Sequence, residues 1–228
     1  MQESAEYFKK NHYIKVESFI TPKEAQFFYD YIKLSTYRLA YLENNQVELN
    51  ERDESEYGTF ADKQVDGAFS KYGDLVFDTL LASKLPIVEE LTGLKLITNY
   101  SYNRLYLTGN ELIRHKDRPS CEISTTLFIG HDISNLDDTN YNWPMFVGPS
   151  NGKEGSPGIP INMKPGDMII YKGHELEHWR EPFKGLNHAQ VFLHYNEKGG
   201  DFNIVNDGRP ALGLPGRYKT FTSDDLLV

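Results

Sequence analysis

The apolar pattern changes character near residue 94, with helical spacing dominating before it and strand-like alternation after it. Residues 12–20 are an exception, because they already alternate and predict a short leading strand. Residues 21–24, Thr-Pro-Lys-Glu, have the form of a capping box with proline at the first helical position, so a helix is expected to begin there. A second helix is predicted from about Asp74 to Leu91, where Pro86 indicates either a kink or two shorter helices.

Short alternating segments follow, separated by turns rich in Gly, Pro and Asp. The segments 122–129 and 188–195 each have one apolar and one polar face. If the helices cover the apolar faces, the polar faces look into the interior, where polar groups need partners or a ligand. The residues on those polar faces are Ser124, Thr126, His188 and Gln190. Two helices followed by such strands predict a mainly β fold with outer helices (α+β), built as a β-sandwich or jelly roll.

The chain shows no internal repeat and no clean boundary, so a single domain is predicted over 1–228. Its expected parts are a helical N-terminal support over about 12–93, a jelly-roll core over about 94–196 and a surface-wrapping tail over 197–228. Within the support, residues 43–73 are polar with little periodicity, and we interpret them as a long loop that could carry a hairpin.

Composition indicates the partners and the cellular compartment of the protein rather than its fold. The formal net charge of -9 argues against nucleic acid or an anionic membrane as the main partner. A single cysteine, Cys121, cannot form an intramolecular disulfide, which favours a reducing compartment. The sequence has no signal-peptide pattern and no apolar run of membrane-spanning length. We therefore expect a soluble, cytoplasmic protein.

The triplet His115-Lys116-Asp117 carries the first candidate chemistry. Side chains two apart on an extended segment point to the same side, so one imidazole and one carboxylate could supply two ligands of a facial triad for Fe(II). A His-x-Asp triplet is common in surface sequence, so its surroundings decide its meaning. The third ligand would be a distant histidine, and both His174 and His178 are candidates.

Three motifs together resemble the Fe(II)- and 2-oxoglutarate-dependent dioxygenases, in particular their prolyl 4-hydroxylase-like branch. The motifs are Tyr106-x-x-Gly109-x-x-Leu112-x-x-His115-x-Asp117, Gly166-Asp167-x-x-x-Tyr171 and His178-x-x-x-Pro182-x-x-Gly185. The resemblance covers about residues 12–196. It implies a double-stranded β-helix (jelly-roll, cupin-like) core, with His115, Asp117 and His178 as catalytic iron ligands. Pro182 then selects His178 over His174.

The resemblance also implies a set of residues that hold 2-oxoglutarate, and here the chain departs from the pattern. Tyr106 matches the tyrosine that binds the distal carboxylate, but the Lys or Arg expected after Gly185 is absent. His188 lies about where that residue should be, although a histidine is a weaker and pH-sensitive anchor. We expect His188 to matter more than Arg180 for binding 2-oxoglutarate. The remaining candidate cofactor-binding residues are Gln190, Thr126 and Arg104.

The activity that the resemblance implies is oxidative decarboxylation of 2-oxoglutarate to succinate and CO2 with dioxygen, coupled to hydroxylation of a substrate. Ascorbate as a reductant is implied by the family alone. The substrate would be a prolyl residue in a peptide or protein. The alternatives are a hydroxylase of small molecules or free amino acids on the same iron site, and a non-catalytic jelly-roll binding protein. The loops 43–73 and 131–158 are candidates for a substrate lid.

Overall fold

A computed structural model describes residues 2–46 and 54–220. Its helices are α1 Gln2–Asn11, α2 Pro22–Asn44, α3 Glu54–Tyr57 and α4 Leu75–Thr92, followed by short 3-10 turns at Val205–Gly208 and Gly216–Tyr218. Its strands are β1 Tyr13–Val16, β2 Phe69–Tyr72, β3 Leu96–Leu107, β4 Leu112–His115, β5 Ile123–Asp132, β6 Met145–Val147, β7 Ile159–Ile161, β8 Met168–Tyr171, β9 His178–Arg180 and β10 Asn187–Glu197.

The strands form two antiparallel sheets. The larger sheet has the order β1-β8-β5-β10-β3-β2, and the smaller one has the order β4-β9-β6-β7. Side chains of both sheets pack together in one buried cluster that includes Phe128 and Ile169 from the larger sheet and Met145 and Val147 from the smaller one. The predicted mainly β fold with a two-sheet jelly-roll core and outer helices is therefore confirmed.

The helices cover the outer face of the larger sheet, as the alternation predicted. Ile32 of α2 and Leu81 of α4 are completely buried, in the same cluster as Leu127 of β5 and Val191 of β10. Since neighbouring side chains on a strand point to opposite faces, the polar residues between these positions are turned toward the smaller sheet. This arrangement places Ser124, Thr126, His188 and Gln190 in the interior, where all four are buried.

The helix boundaries follow their capping residues. Thr21 and Glu24 form the predicted capping box, in which the Glu24 amide donates to Thr21 Oγ1 at 3.2 Å and the Thr21 amide donates to Glu24 Oε2 at 2.7 Å. The α4 helix starts after Asp74, whose carboxylate accepts from the Val76 amide. It continues through Pro86 as one helix, since Pro86 is exposed and the carbonyl that it leaves unpaired can be solvated.

Several local predictions were wrong. The sequence predicts no element before residue 12, but α1 forms there and buries only Phe8, so its apolar periodicity is too weak to detect. The α2 helix reaches Asn44, and the segment 43–73 contains β2, which pairs with β3. Residues 47–53 of that segment lie outside the described part of the chain. The short β9, which begins at His178, was not predicted as a strand.

The described part of the C-terminal segment is tied to the core by buried charges. Arg209 Nη1 lies 2.8 Å from Asp78 Oδ2 of α4, and both side chains are buried. Asp207 accepts hydrogen bonds from Tyr72 Oη at 2.7 Å and from Arg118 Nη2 at 2.8 Å. Arg118 follows the metal-ligand candidate Asp117, so this segment is connected to the site. Among the described helices, none is both long and apolar enough to cross a bilayer.

Candidate active site

His115, Asp117 and His178 come together between the two sheets. Their nearest ligand atoms all lie within 4.8 Å of one another. The Nε2 atoms of His115 and His178 are 3.6 Å and 3.4 Å from Asp117 Oδ1. Two imidazoles and one carboxylate that converge in this way suit a divalent metal, and the facial arrangement with open positions is typical of non-haem Fe(II).

Strand pairing brings the two histidines together. His115, the last residue of β4, is paired with His178, the first residue of β9, and their ring centres lie 4.3 Å apart. Asp117 lies beyond the end of β4, so the two ligands do not share one regular strand, as the alternation argument supposed. The Asp117 amide instead donates to the Gly173 carbonyl at 2.9 Å, which holds the carboxylate beside the histidines.

Backbone carbonyls orient both imidazoles. His115 Nδ1 lies 2.7 Å from the Ile113 carbonyl oxygen, and His178 Nδ1 lies 3.0 Å from the Leu176 carbonyl oxygen. A proton on each Nδ1 can donate to its carbonyl, which leaves the Nε2 lone pairs directed toward the shared centre. This is the usual outer support of a metal-binding histidine.

The site also keeps Asp117 ionised. Before a metal binds, the positive charge of protonated His178 and hydrogen bonds from both histidines hold the pKa of Asp117 well below its usual range, although burial alone would raise it. Ser124 Oγ donates to Asp117 Oδ2 at 2.6 Å, so Oδ1 is the oxygen directed at the histidines. His194 Nδ1 lies 3.1 Å from the same hydroxyl. Burial lowers the pKa of His194 to about 4, so it is neutral and supports Ser124 without adding a charge.

His174, the other sequence candidate, is not part of this cluster. Its side chain is partly exposed, and its Nε2 atom is 3.8 Å from Glu175 Oε1. The structure therefore brings His178 rather than His174 to His115 and Asp117.

Arg104 and Tyr106 lie next to each other, but the charge of Arg104 is already neutralised. The carboxylate of Asp62 accepts hydrogen bonds from Arg104 Nε at 2.7 Å and from Arg104 Nη2 at 3.0 Å, and the two residues form a two-pronged ion pair. Arg104 Nη1 donates to Tyr106 Oη at 2.9 Å, and Arg104 Nη2 also donates to Gln64 Oε1 at 2.9 Å. Gln64 Nε2 in turn lies 3.4 Å from His115 Nε2. Arg104 therefore fixes the loop that carries Asp62 and Gln64 beside the metal-binding atoms.

Arg180 is a fully buried cation that has no carboxylate partner among the described residues. Burial lowers its pKa to about 10, so it remains charged at neutral pH. Its Nη1 donates to the Trp143 carbonyl, and its guanidinium lies 4.6 Å from the centre of the Trp143 ring. The amide oxygen of Gln190 fits best when it faces Arg180, where it accepts from the guanidinium and from His188 Nε2. A buried guanidinium with only neutral partners is costly unless an anion joins it.

His188 is placed as the sequence suggested, but it lacks the charge of an anchor. Its ring stacks on Phe128, with ring centres 4.2 Å apart, and it contacts Trp143 edge-on. Burial first, and then the charge of Arg180, hold the pKa of His188 well below its usual range. Its Nδ1 atom is buried without a hydrogen-bond partner in the described structure. Thr126, the remaining candidate, is buried with its Oγ1 atom 3.4 Å from Tyr171 Oη.

A cavity of about 410 Å³ opens onto the candidate ligands. It is lined by aromatic side chains of β3 and β10 and by part of the segment predicted to include a lid, namely Thr59 and residues 61–64. Within the described part of the chain, segment 131–158 contributes no residue to this cavity.

Several cavity residues were missed at the level of sequence. Tyr100 of β3 lies on the same strand face as Tyr106, and His194 of β10 lies on the same face as His188 and Gln190. The alternation would have identified both residues if it had been followed further along each strand. Asp62 and Gln64 carry no such signal, because their position depends on how a long loop folds back onto β3. Arg118 follows Asp117 directly, but no sequence pattern indicates that it lines the cavity.

The comparisons with known proteins identify the fold. No protein-family model matches the sequence, and no curated protein has a significantly similar sequence. The chain is similar in structure to a Pseudomonas putida prolyl-4-hydroxylase, with a TM-score of 0.56 and 14% identity, covering 86% of this chain and 97% of the other.

Two further structures carry 2-oxoglutarate. EctD from S. alaskensis, with 2-oxoglutarate and 5-hydroxyectoine, matches with a TM-score of 0.61 and 15% identity over 97% of this chain and 86% of its own. HygX from Streptomyces hygroscopicus, with nickel and 2-oxoglutarate bound, matches with a TM-score of 0.58 and 12% identity over 86% of this chain and 87% of its own. The chain therefore has the double-stranded β-helix fold of the Fe(II)- and 2-oxoglutarate-dependent oxygenases.

Proposed function

We propose that this protein is an Fe(II)- and 2-oxoglutarate-dependent hydroxylase. The observation that carries the proposal is the combination, inside this fold, of a convergent His-Asp-His cluster with a buried arginine, Arg180, that has no carboxylate partner in the described part of the chain. The cluster fits a divalent metal, and the arginine fits the carboxylate of a dianionic co-substrate. The succinate assay described below separates an enzyme from a binding protein that uses the same two groups.

In this proposal His115 Nε2, His178 Nε2 and Asp117 Oδ1 hold the iron. Arg180 receives the distal carboxylate of 2-oxoglutarate, with Tyr106 and Gln190 as its neutral neighbours. This assignment replaces the expectation that His188 is the main anchor, because a neutral imidazole attracts a carboxylate far less than a guanidinium does. The cost of burying Arg180 would be offset only when the acid binds.

Iron and 2-oxoglutarate would supply the oxidation, in which dioxygen gives one atom to succinate and one to a substrate C–H bond, and CO2 is released. The chain itself binds, orients and shields. Ser124 and Gly173 fix the Asp117 carboxylate, and backbone carbonyls fix the two imidazoles. The buried rings of Tyr171 and Phe192 line the cavity beside the metal-binding atoms and restrict the access of water.

The fold leaves the substrate open, because the similar structures include a prolyl hydroxylase and proteins whose structures were determined with 5-hydroxyectoine or hygromycin B. Both a prolyl residue in a peptide and a small molecule therefore belong to the proposal. We further propose that the chain acts as one domain in the cytoplasm, where a reducing environment suits both ferrous iron and the buried thiol of Cys121. Ascorbate is included as the reductant in the assay.

The decisive assay compares protein loaded with Fe(II) with the same protein loaded with Zn(II). With 2-oxoglutarate and dioxygen, the Fe(II) form is expected to make succinate and CO2 in equal amounts, even at a slow rate without the substrate. The Zn(II) form is expected to make neither, because Zn(II) is not redox-active. Succinate is measured by mass spectrometry. The hydroxylase proposal fails if the Fe(II) form binds 2-oxoglutarate but makes no succinate with any substrate supplied.

A further inference from the structure

The cavity in front of the metal cluster is positively charged, although the protein as a whole is acidic. The chain has a formal net charge of -9. The cavity, by contrast, is lined by four cationic side chains and only two carboxylates. The cations are Lys63, Arg104, Lys116 and Arg118, and the carboxylates are Asp62 and Asp117.

Both carboxylates are already engaged. Asp62 forms its two-pronged ion pair with Arg104 and also accepts the Gln64 and Val65 amides. Asp117 belongs to the metal cluster. Lys63 and Lys116 form no ion pair with any described residue. The cavity therefore presents positive charge that no side chain of its wall neutralises.

Arg118 is the cation with a fixed orientation. Its guanidinium lies 4.9 Å from the centre of the Tyr100 ring, and its Nη2 atom donates to Asp207 Oδ1 at 2.8 Å. Asp207 is buried and does not line the cavity, whereas the Arg118 side chain is 38% exposed. The contact with Asp207 and a further hydrogen bond to the Cys121 side chain hold the guanidinium in place. The exposed part of the guanidinium can meet a ligand.

The charge of this cavity is separate from the proposed co-substrate anchor. Arg180 is buried beneath Trp143 and is not part of the cavity wall. Arg118 lies on the wall, beside the aromatic surface of Tyr100, Tyr102 and Phe192. Two arginines in two different places suit two different acids, one held at Arg180 and one held at Arg118.

Resting on the hydroxylase proposed above, we propose that the substrate is a small molecule with a carboxylate group. Its carboxylate binds Arg118, with Lys116 and Lys63 at the cavity mouth, and its carbon skeleton packs on Tyr100 and Phe192. The volume of about 410 Å³ suits a single small ligand. A neutral stretch of polypeptide would offer no negative charge to Lys63 and Lys116, which form no ion pair with a described residue.

The test uses protein loaded with Mn(II) and saturating 2-oxoglutarate. The probes are L-amino acids, 2-hydroxy acids and short branched fatty acids, each paired with its own primary amide. Relaxation of the probe protons by Mn(II) reports binding near the metal, and titration gives the affinity. At least one acid is expected to bind about tenfold or more tightly than its amide, which is the scale of a charge-assisted hydrogen bond.

The variants Arg118→Gln and Lys116→Gln are expected to lower the affinity for that acid about tenfold, and Arg118→Lys to retain most of it. Lys116→Gln is informative even if Arg118→Gln loosens the Asp207 contact, since Lys116 forms no ion pair with a described residue that the substitution would break. Lys198→Gln, an exposed lysine outside the cavity, is the matched control and should change nothing.

Three results overturn the inference. The first is that every amide binds as well as its acid, and the second is that an uncharged acetylated and amidated proline peptide binds better than every acid. The third is that Arg118→Gln lowers the affinity for 2-oxoglutarate as much as it lowers the affinity for the probe. The last result would assign the positive cavity to the co-substrate. Calorimetric binding of 2-oxoglutarate to the metal-loaded protein is recorded separately. If 2-oxoglutarate does not bind, the proposed function fails, while the comparison of acids with amides still decides the charge preference.

Discussion

Replacing Gly173 with alanine is expected to lower the affinity for Fe(II) by up to about 100-fold, the upper end of the range for groups that position a metal ligand. A Cβ atom on Gly173 would overlap Asp117 Oδ2 and Ser124 Oγ and lie 3.0 Å from Asp117 Cγ. The carboxylate cannot yield toward the histidines without losing the hydrogen bond from Ser124. The added methyl group therefore displaces a ligand without changing any ligand's identity. Metal titration followed by calorimetry measures the effect, and Fe(II)-dependent succinate formation should fall with it.

The matched control for this substitution is Gly148→Ala. A Cβ atom there would lie 3.4 Å from the Glu177 carbonyl oxygen, an ordinary contact, so metal affinity should stay that of the wild type. Thermal unfolding of both alanine variants separates a displaced ligand from a misfolded chain. If Gly173→Ala folds and binds Fe(II) as the wild type does, then the close approach of Gly173 to Asp117 is not what positions that carboxylate.

The sequence was sufficient for the features that depend on local period and spacing. Strand alternation predicted that Ser124 and His188 lie inside the molecule. When helices cover the apolar face of a sheet, the polar face of its strands is turned toward the interior. The capping box placed the start of α2 to the residue. The motif that contains Pro182 selected His178, and this histidine is the one that pairs with His115 in the structure.

The features that the sequence could not show depend on contacts between distant segments. The partner of Arg104 is Asp62, which lies on a loop without periodicity, so no pattern assigns that ion pair. Arg180 lies in a strand of three residues beside exposed-looking polar sequence, and nothing local indicates that it is buried. Its burial follows from the pairing of β9 with β4 and β6. Arg180 comes two residues after His178 on β9, so both side chains point to the same, interior face. The proposal of Arg180 rather than His188 as the anchor therefore rests on this burial, which the sequence does not indicate.

Arg180→Met is expected to raise the dissociation constant for 2-oxoglutarate about 100-fold, whereas His188→Gln should raise it less than about fivefold. Arg180 is the buried cation without a carboxylate partner in the described structure, and methionine keeps much of its length while removing the charge. His188 is neutral, since burial holds its pKa well below its usual range, so its replacement removes no ionic attraction. Calorimetric titration of 2-oxoglutarate into the metal-loaded variants measures both values.

A second measurement distinguishes an anchor from a structural arginine. Without 2-oxoglutarate, Arg180→Met should unfold at the same or a higher urea concentration than the wild type, because removing an unpaired buried charge offsets the lost hydrogen bond to the Trp143 carbonyl. Saturating 2-oxoglutarate should then stabilise the wild type and leave the variant unchanged, since only the wild type binds it tightly. A loss of more than about 2 kcal/mol in the ligand-free variant would identify Arg180 as a structural residue. A larger effect of His188→Gln on the dissociation constant would return the anchor to the position that the sequence motif indicated.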